Sequence, residues 1–223
     1  MSRLQQHRLT NGLILVGEEV PGVQSLALTM LAPAGVAAEP ADRLGVAAML
    51  AEMAGRGAGG LSAREHSDAL DRLGVQRGTD VETRHLRLSA SLLGGNLAPA
   101  LPLLLDMVYR PNLDAEHFEP SRDLCLQSID ALDDEPQERS MLELRSRHFP
   151  EPLGRSPLGE RAHLEAMTLA DVQGFWKRTC VPYRSSLAVA GRFDWQALKE
   201  QVEELLGRWW GTFAEPTPAA TPP

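Results

Sequence analysis

Gly45-Val46-Ala47-Ala48-Met49-Leu50-Ala51-Glu52-Met53 is the stretch on which the reading of this chain turns. Ala, Leu and Met lose little side-chain freedom in a helix. Gly55-Arg56-Gly57-Ala58-Gly59-Gly60 follows and stops the pattern. A buried helix over 43–54 is therefore expected. By residue type alone it packs and does no chemistry. The glycine-rich run after it is no phosphate loop, because no Lys-Ser/Thr pair follows.

Working outward, Asn11-Gly12 marks a tight turn between strands at 6–9 and 12–19, and a third strand is expected over 24–32. Ser62-x-x-Glu65 is a capping box that opens a helix to about Leu73, with His66 exposed in its first turns. Strands follow over 75–80 and 83–92. Leu86, Leu88, Ala90 and Leu92 alternate on one face of the second, His85 and Arg87 on the other. Asn96 is read as the cap of a helix over 97–109 that Pro102 kinks. Asp114 starts the next helix within 114–133, and Pro120 is expected to break it. Asp130, Asp133, Asp134 and Glu135 read as a solvated helix end. Helices over 136–148 and 169–179, a strand over 185–192 and a helix from Asp194 to about Trp210 complete the pattern, with Thr168 and Asp194 as caps. Early strands, intervening helices and a late strand make an α+β domain, one sheet with helices packed over it.

Against this pattern, the stretch from Gly45 resembles the zinc helix of the pitrilysin/insulinase metallopeptidases, the M16 family. That helix carries H-x-x-E-H, framed as G-x-A-H-F-L-E-H-M. Matching Gly45, Ala47, Leu50 and Met53 puts Ala48 at the first His, Ala51 at the catalytic Glu and Glu52 at the second His. The family's further ligand is a Glu in a stretch resembling V-L-E-E-I. Here that stretch is Cys125-Leu126-Gln127-Ser128-Ile129, and the ligand position falls on Ser128. Imidazoles one helical turn apart can share a Zn²⁺, and the Glu between them activates its water. Alanine offers neither a lone pair nor a proton acceptor, and one carboxylate is not a zinc site.

The resemblance runs along nearly the whole chain. Asn11-Gly12-Leu13-Ile14-Leu15-Val16 looks like the family's opening hairpin. Pro33-Ala34-Gly35-Val36 with Glu39-Pro40 stands in the place of its R-A-G-S-R-x-E-P stretch. Gly154-Arg155-Ser156-Pro157-Leu158-Gly159 resembles its P-x-G-x-x-x-L-G turn. Tyr183-Arg184-Ser185-Ser186-Leu187-Ala188-Val189-Ala190-Gly191 resembles its late strand, with Arg184 and Ser186 as departures. The resemblance implies a mixed, largely antiparallel sheet covered by helices, the size of one half of a two-half subunit. It also implies a catalytically inactive domain without metal or cofactor. Such a domain pairs with an active zinc-peptidase unit or with its own second half around a peptide-processing chamber. Self-association is expected, because a half-subunit exposes the face that meets its sister. Two alternatives stay open: a scaffold with no proteolytic partner, and a zinc endopeptidase with displaced ligands drawn from Glu52, His66, Glu82 and His85.

Composition bounds the rest. Hydrophobic residues make up 43% of 223, enough for a core. A net charge of −8 argues against nucleic-acid partners, and no apolar run is long enough to insert in a membrane. Cys125 and Cys180 are read as buried free thiols. Met1-Ser2-Arg3-Leu4-Gln5-Gln6-His7 holds no apolar signal segment, which gives a cytoplasmic expectation with the periplasm as the alternative. The domain is expected over 1–212, with 213–223 as a Pro/Ala/Thr linker after which the native chain could continue.

Overall fold

The computed structural model describes residues 3–209. Six strands make one sheet: β1 (Arg3–Arg8), β2 (Ile14–Glu19), β3 (Ser25–Ala32), β4 (Gln76–Val81), β5 (Leu86–Leu93) and β6 (Ser186–Gly191). Their spatial order is β1-β2-β6-β3-β5-β4. The last strand in sequence thus enters the middle. It runs parallel to β2 and antiparallel to β3, while all the other pairs are antiparallel. This is the mixed, largely antiparallel sheet expected.

Among the described residues eight α-helices accompany it: α1 (Val46–Ala54), α2 (Ala63–Arg72), α3 (Leu97–Tyr109), α4 (Phe118–Ala131), α5 (Pro136–His148), α6 (Arg161–Ala166), α7 (Leu169–Thr179) and α8 (Trp195–Leu206). The register sets Leu28 opposite both Ala90 and Val189, so one face of the sheet is a continuous apolar surface. Helices cover that face: α1 packs on β4, α3 on β5 and α8 on β2. On the opposite face Ala27, Ser91, Ala188 and Ala190 are exposed. Among the described residues no helix is long and apolar enough to cross a membrane. The expected boundary at 212 and the tail beyond it lie outside the described residues.

Several expectations are corrected. α1 starts at Val46 rather than 43, because Gly45 is in the left-handed region. Pro120 falls in the first turn of α4, where an amide has no intrahelical partner to lose, and the helix runs on. Asn96 makes no cap bond; its amide donates instead to the Leu73 carbonyl at 2.9 Å. His66 is not exposed but fully buried, its Nε2 3.0 Å from the Leu103 carbonyl oxygen. The polar neighbours of His66 in α2 face solvent, and this one imidazole turns inward toward α3. α6 carries no strong periodicity and was not expected. The capping box at Ser62, the Thr168 and Asp194 caps and the two buried free thiols are as expected, and Asp171 completes a capping box at Thr168.

Asn11 does more than turn a hairpin. It is 1% exposed. Its amide donates to the Leu206 carbonyl at 2.6 Å, and its carbonyl accepts the Leu13 amide at 3.2 Å. The N-terminal turn and the end of α8 are thereby tied through one buried side chain. Asn11→Ala removes both bonds and leaves the Leu206 carbonyl accepting from the Trp209 amide, so a loss of about 1–2 kcal/mol is expected in urea unfolding.

Candidate functional site

α1 begins where two other loops converge on it. Gly45 has φ 102°, which costs glycine little because it lacks a Cβ. It offers no side chain to cap the helix. The cap comes from Glu39, six residues upstream: one carboxylate oxygen accepts the Gly45 amide at 3.1 Å and the Ala47 amide at 2.9 Å. Arg155 holds the same loop by donating to the carbonyls of Glu39 at 2.6 Å and Val36 at 3.3 Å. A Cβ on Gly159 would lie 2.2 Å from the Gly45 Cα, so two backbones touch here. His163 Nδ1 accepts the Leu44 amide at 3.3 Å, which requires that nitrogen to be unprotonated. Farther along, the Thr79 hydroxyl donates to the Ala51 carbonyl at 3.1 Å and ties β4 to the middle of the helix.

Ala48 is half-buried, Ala51 is buried and Glu52 is exposed. The Glu52 carboxylate lies 3.9 Å from the Arg56 guanidinium. α4 packs against α1. Burial, helped by the nearby Glu52 charge and opposed by Arg56, pushes the Cys125 thiol of α4 up to about 12. Ser128, one turn beyond Cys125, is exposed and donates to the Leu124 carbonyl at 3.0 Å. The side chains at the four positions are thus two methyl groups, a carboxylate beside a guanidinium and a hydroxyl bonded to its own helix. They do not fit zinc, which takes imidazole, thiolate or carboxylate ligands in a closed set. Among the described residues no group of three or more His, Cys, Asp or Glu could hold a metal ion.

A family model for insulinase, peptidase family M16, matches residues 15–161, which include all four positions. The chain belongs to the M16 peptidase family. An uncharacterized zinc protease of Mycobacterium tuberculosis is 29% identical over 200 residues, 89% of this chain and 46% of that protein. The beta subunit of the mitochondrial-processing peptidase of Blastocladiella emersonii is 23% identical over 207 residues, 92% of this chain and 44% of that subunit. Among solved structures, a peptidase M16 inactive domain from Pseudomonas fluorescens matches with TM-score 0.83 at 18% identity, over 96% of this chain and 53% of the other. A protease from Helicobacter pylori matches with TM-score 0.79 at 19% identity, over 98% and 54%. At these identities the structures speak for the fold. The M16 chain spans about half the length of the relatives it matches, and its fold is that of an M16 half-domain.

Of the displaced-ligand candidates, Glu82 and His85 share the turn between β4 and β5, but the four form no metal-binding group. Glu52 lies beside Arg56 on α1, and His66 is buried against α3. Glu82 pairs with Arg87 at 3.3 Å, and His85 precedes β5, half-buried, with its imidazole held below its usual value by burial. The acids at the end of α4 are exposed as expected; Asp130 pairs with Arg161, and Asp133 with Arg139.

Sequence reasoning quoted Glu39 but gave it no role. Burial pushes its carboxyl up from 4.5 to about 7, while the Ala47 and Gly45 amides and the Arg155 charge pull it down. A raised folded value means that the folded state binds the proton more tightly than the unfolded chain. The stabilisation is complete below pH 4.5 and is lost as pH rises through about 7. Glu39→Gln keeps an acceptor for both amides and cannot ionise. Parent stability should therefore fall between pH 5 and pH 8 relative to that of the variant, by on the order of 3 kcal/mol at most. Urea midpoints of both proteins at the two pH values check this.

Proposed function

We propose that this chain is a non-catalytic M16 half-domain that holds polypeptide and completes a chamber with a zinc-bearing M16 unit, either a separate subunit or a second half. The observation that carries the reading is the side-chain chemistry at Ala48, Ala51, Glu52 and Ser128. The helix is kept and its amino terminus is firmly held, yet the groups that would bind and activate a zinc-bound water are missing from it. The open face of the sheet supports a partner, since large uncovered faces mark association sites. Strand β4 supports peptide holding. It is the terminal strand of the sheet and lies against α1, so its free edge can accept an extended chain by strand addition.

Elemental analysis of the purified chain, run beside a generic peptide-cleavage assay, tests the first part. Near-zero zinc and no cleavage are expected; stoichiometric zinc with chelator-sensitive cleavage would overturn the reading. The converse experiment restores the ligands. Ala48→His, Ala51→Glu, Glu52→His and Ser128→Glu together should give a folded protein that binds about one zinc per chain. A folded variant that stays metal-free would show that the positions are misplaced. Cleavage is not expected to return, because the cleft needs the partner.

A further inference from the structure

Helix α5 is unlike the others. None of its residues is buried. Its last turn is tied to the body of the fold by Arg145, whose guanidinium donates to the Thr83 hydroxyl and, at 3.4 Å, to the Leu153 carbonyl. Between α5 and the turn joining β4 to β5 runs a groove of about 900 Å³. Its apolar lining includes Met141, Leu144 and Phe149, which are 60%, 59% and 47% exposed. Seven large apolar side chains are exposed among the described residues, and three of them meet in this one groove. That concentration separates it from ordinary surface scatter.

The rim is cationic on a molecule whose net charge is −8. Arg84 and Arg145 supply that charge, with the imidazoles of His85 and His148 beside them, and Glu82 is the one acid among the lining residues. Glu82 is already engaged with Arg87 at 3.3 Å. Arg84 is exposed, and its guanidinium has no hydrogen bond or ion pair among the described residues. The Phe149 ring meets the His148 ring edge-on at 4.7 Å, which sets an imidazole beside the apolar lining. The volume suits a few residues of peptide. An occupant must therefore offer apolar side chains and one anion together. An acidic side chain would take the place of an apolar one. The α-carboxylate at the end of a peptide is the anion that leaves every side chain apolar.

We infer that the groove between α5 and the β4–β5 turn binds the carboxy-terminal end of an apolar peptide, side chains on Met141, Leu144 and Phe149, carboxylate on Arg84 and the cationic rim. This rests on the reading that the chain holds polypeptide, and on nothing about zinc or cleavage.

Fluorescence anisotropy of the whole 223-residue chain with a fluorescein-labelled hexapeptide ending in Leu-Phe-Leu tests it. The free-carboxylate peptide should bind at least about tenfold more tightly than the same peptide amidated. Leu144→Asp and Arg84→Glu should each weaken it by about tenfold with melting temperature unchanged, since both side chains are exposed. Leu124→Asp on α4, which is 39% exposed and outside the groove, should leave it unaltered. Equal affinity for the two peptides overturns the groove assignment and leaves strand addition at β4 standing. No binding of either peptide overturns both. Decanoate binding that neither peptide displaces shows an acyl site and also overturns the assignment.

Discussion

The carboxylate of Glu39 is the interaction on which the arrangement around α1 depends. A helix that begins on a left-handed glycine has no side chain of its own for its first amides. Glu39 supplies that acceptor from a distance, so the path from β3 into α1 is fixed by a side chain rather than by the turn itself. Arg155 and the contact between Gly45 and Gly159 then bring the loop after α5 onto the same point. Elements far apart in the chain converge on one helix end, and the orientation of α1 follows. Burial opposes the carboxylate's charge while the two amides favour it, and its proton affinity records that balance.

The helix itself is held by packing as well as by its cap. The resemblance to the M16 zinc helix would place metal ligands at this point. Here the scaffold persists with methyl groups at Ala48 and Ala51. Packing explains the persistence: Val46, Ala47, Met49, Leu50 and Met53 are core residues against α4, α7 and β4. Losing a ligand leaves that packing untouched, whereas losing the helix would open the core beneath the sheet.

Much of this was legible in the sequence where a local rule decides the outcome. The capping box at Ser62, the cap at Thr168, the alternation from Leu86 to Leu92 and the stop at the glycine-rich run depend on neighbours a few residues apart. The four positions Ala48, Ala51, Glu52 and Ser128 rest instead on the resemblance, which places them by matching motif frames along two helices. The failures share a cause too. Asn96 found a better acceptor at Leu73, His66 turned toward α3, and Pro120 fell where no amide was needed. Each outcome was set by a residue distant in sequence or by a shift of register, neither of which periodicity reports. Glu39 belongs with them, because its partners are visible only once the loop has folded back. The groove at α5 was hidden differently: a helix over 136–148 is expected, and nothing local shows that its apolar side chains stay outside the core.

The position of β6 has a consequence for how the chain comes together. The first three strands leave a gap between β2 and β3 that only Ser186–Gly191 fills. Until that segment arrives, β1–β2 and β3–β5–β4 are separate ribbons with unpaired inner edges. Completion of the sheet must therefore await a strand far downstream of its partners β2 and β3, a topology of high contact order that slows folding. During synthesis those inner edges are exposed to any other strand that can pair with them.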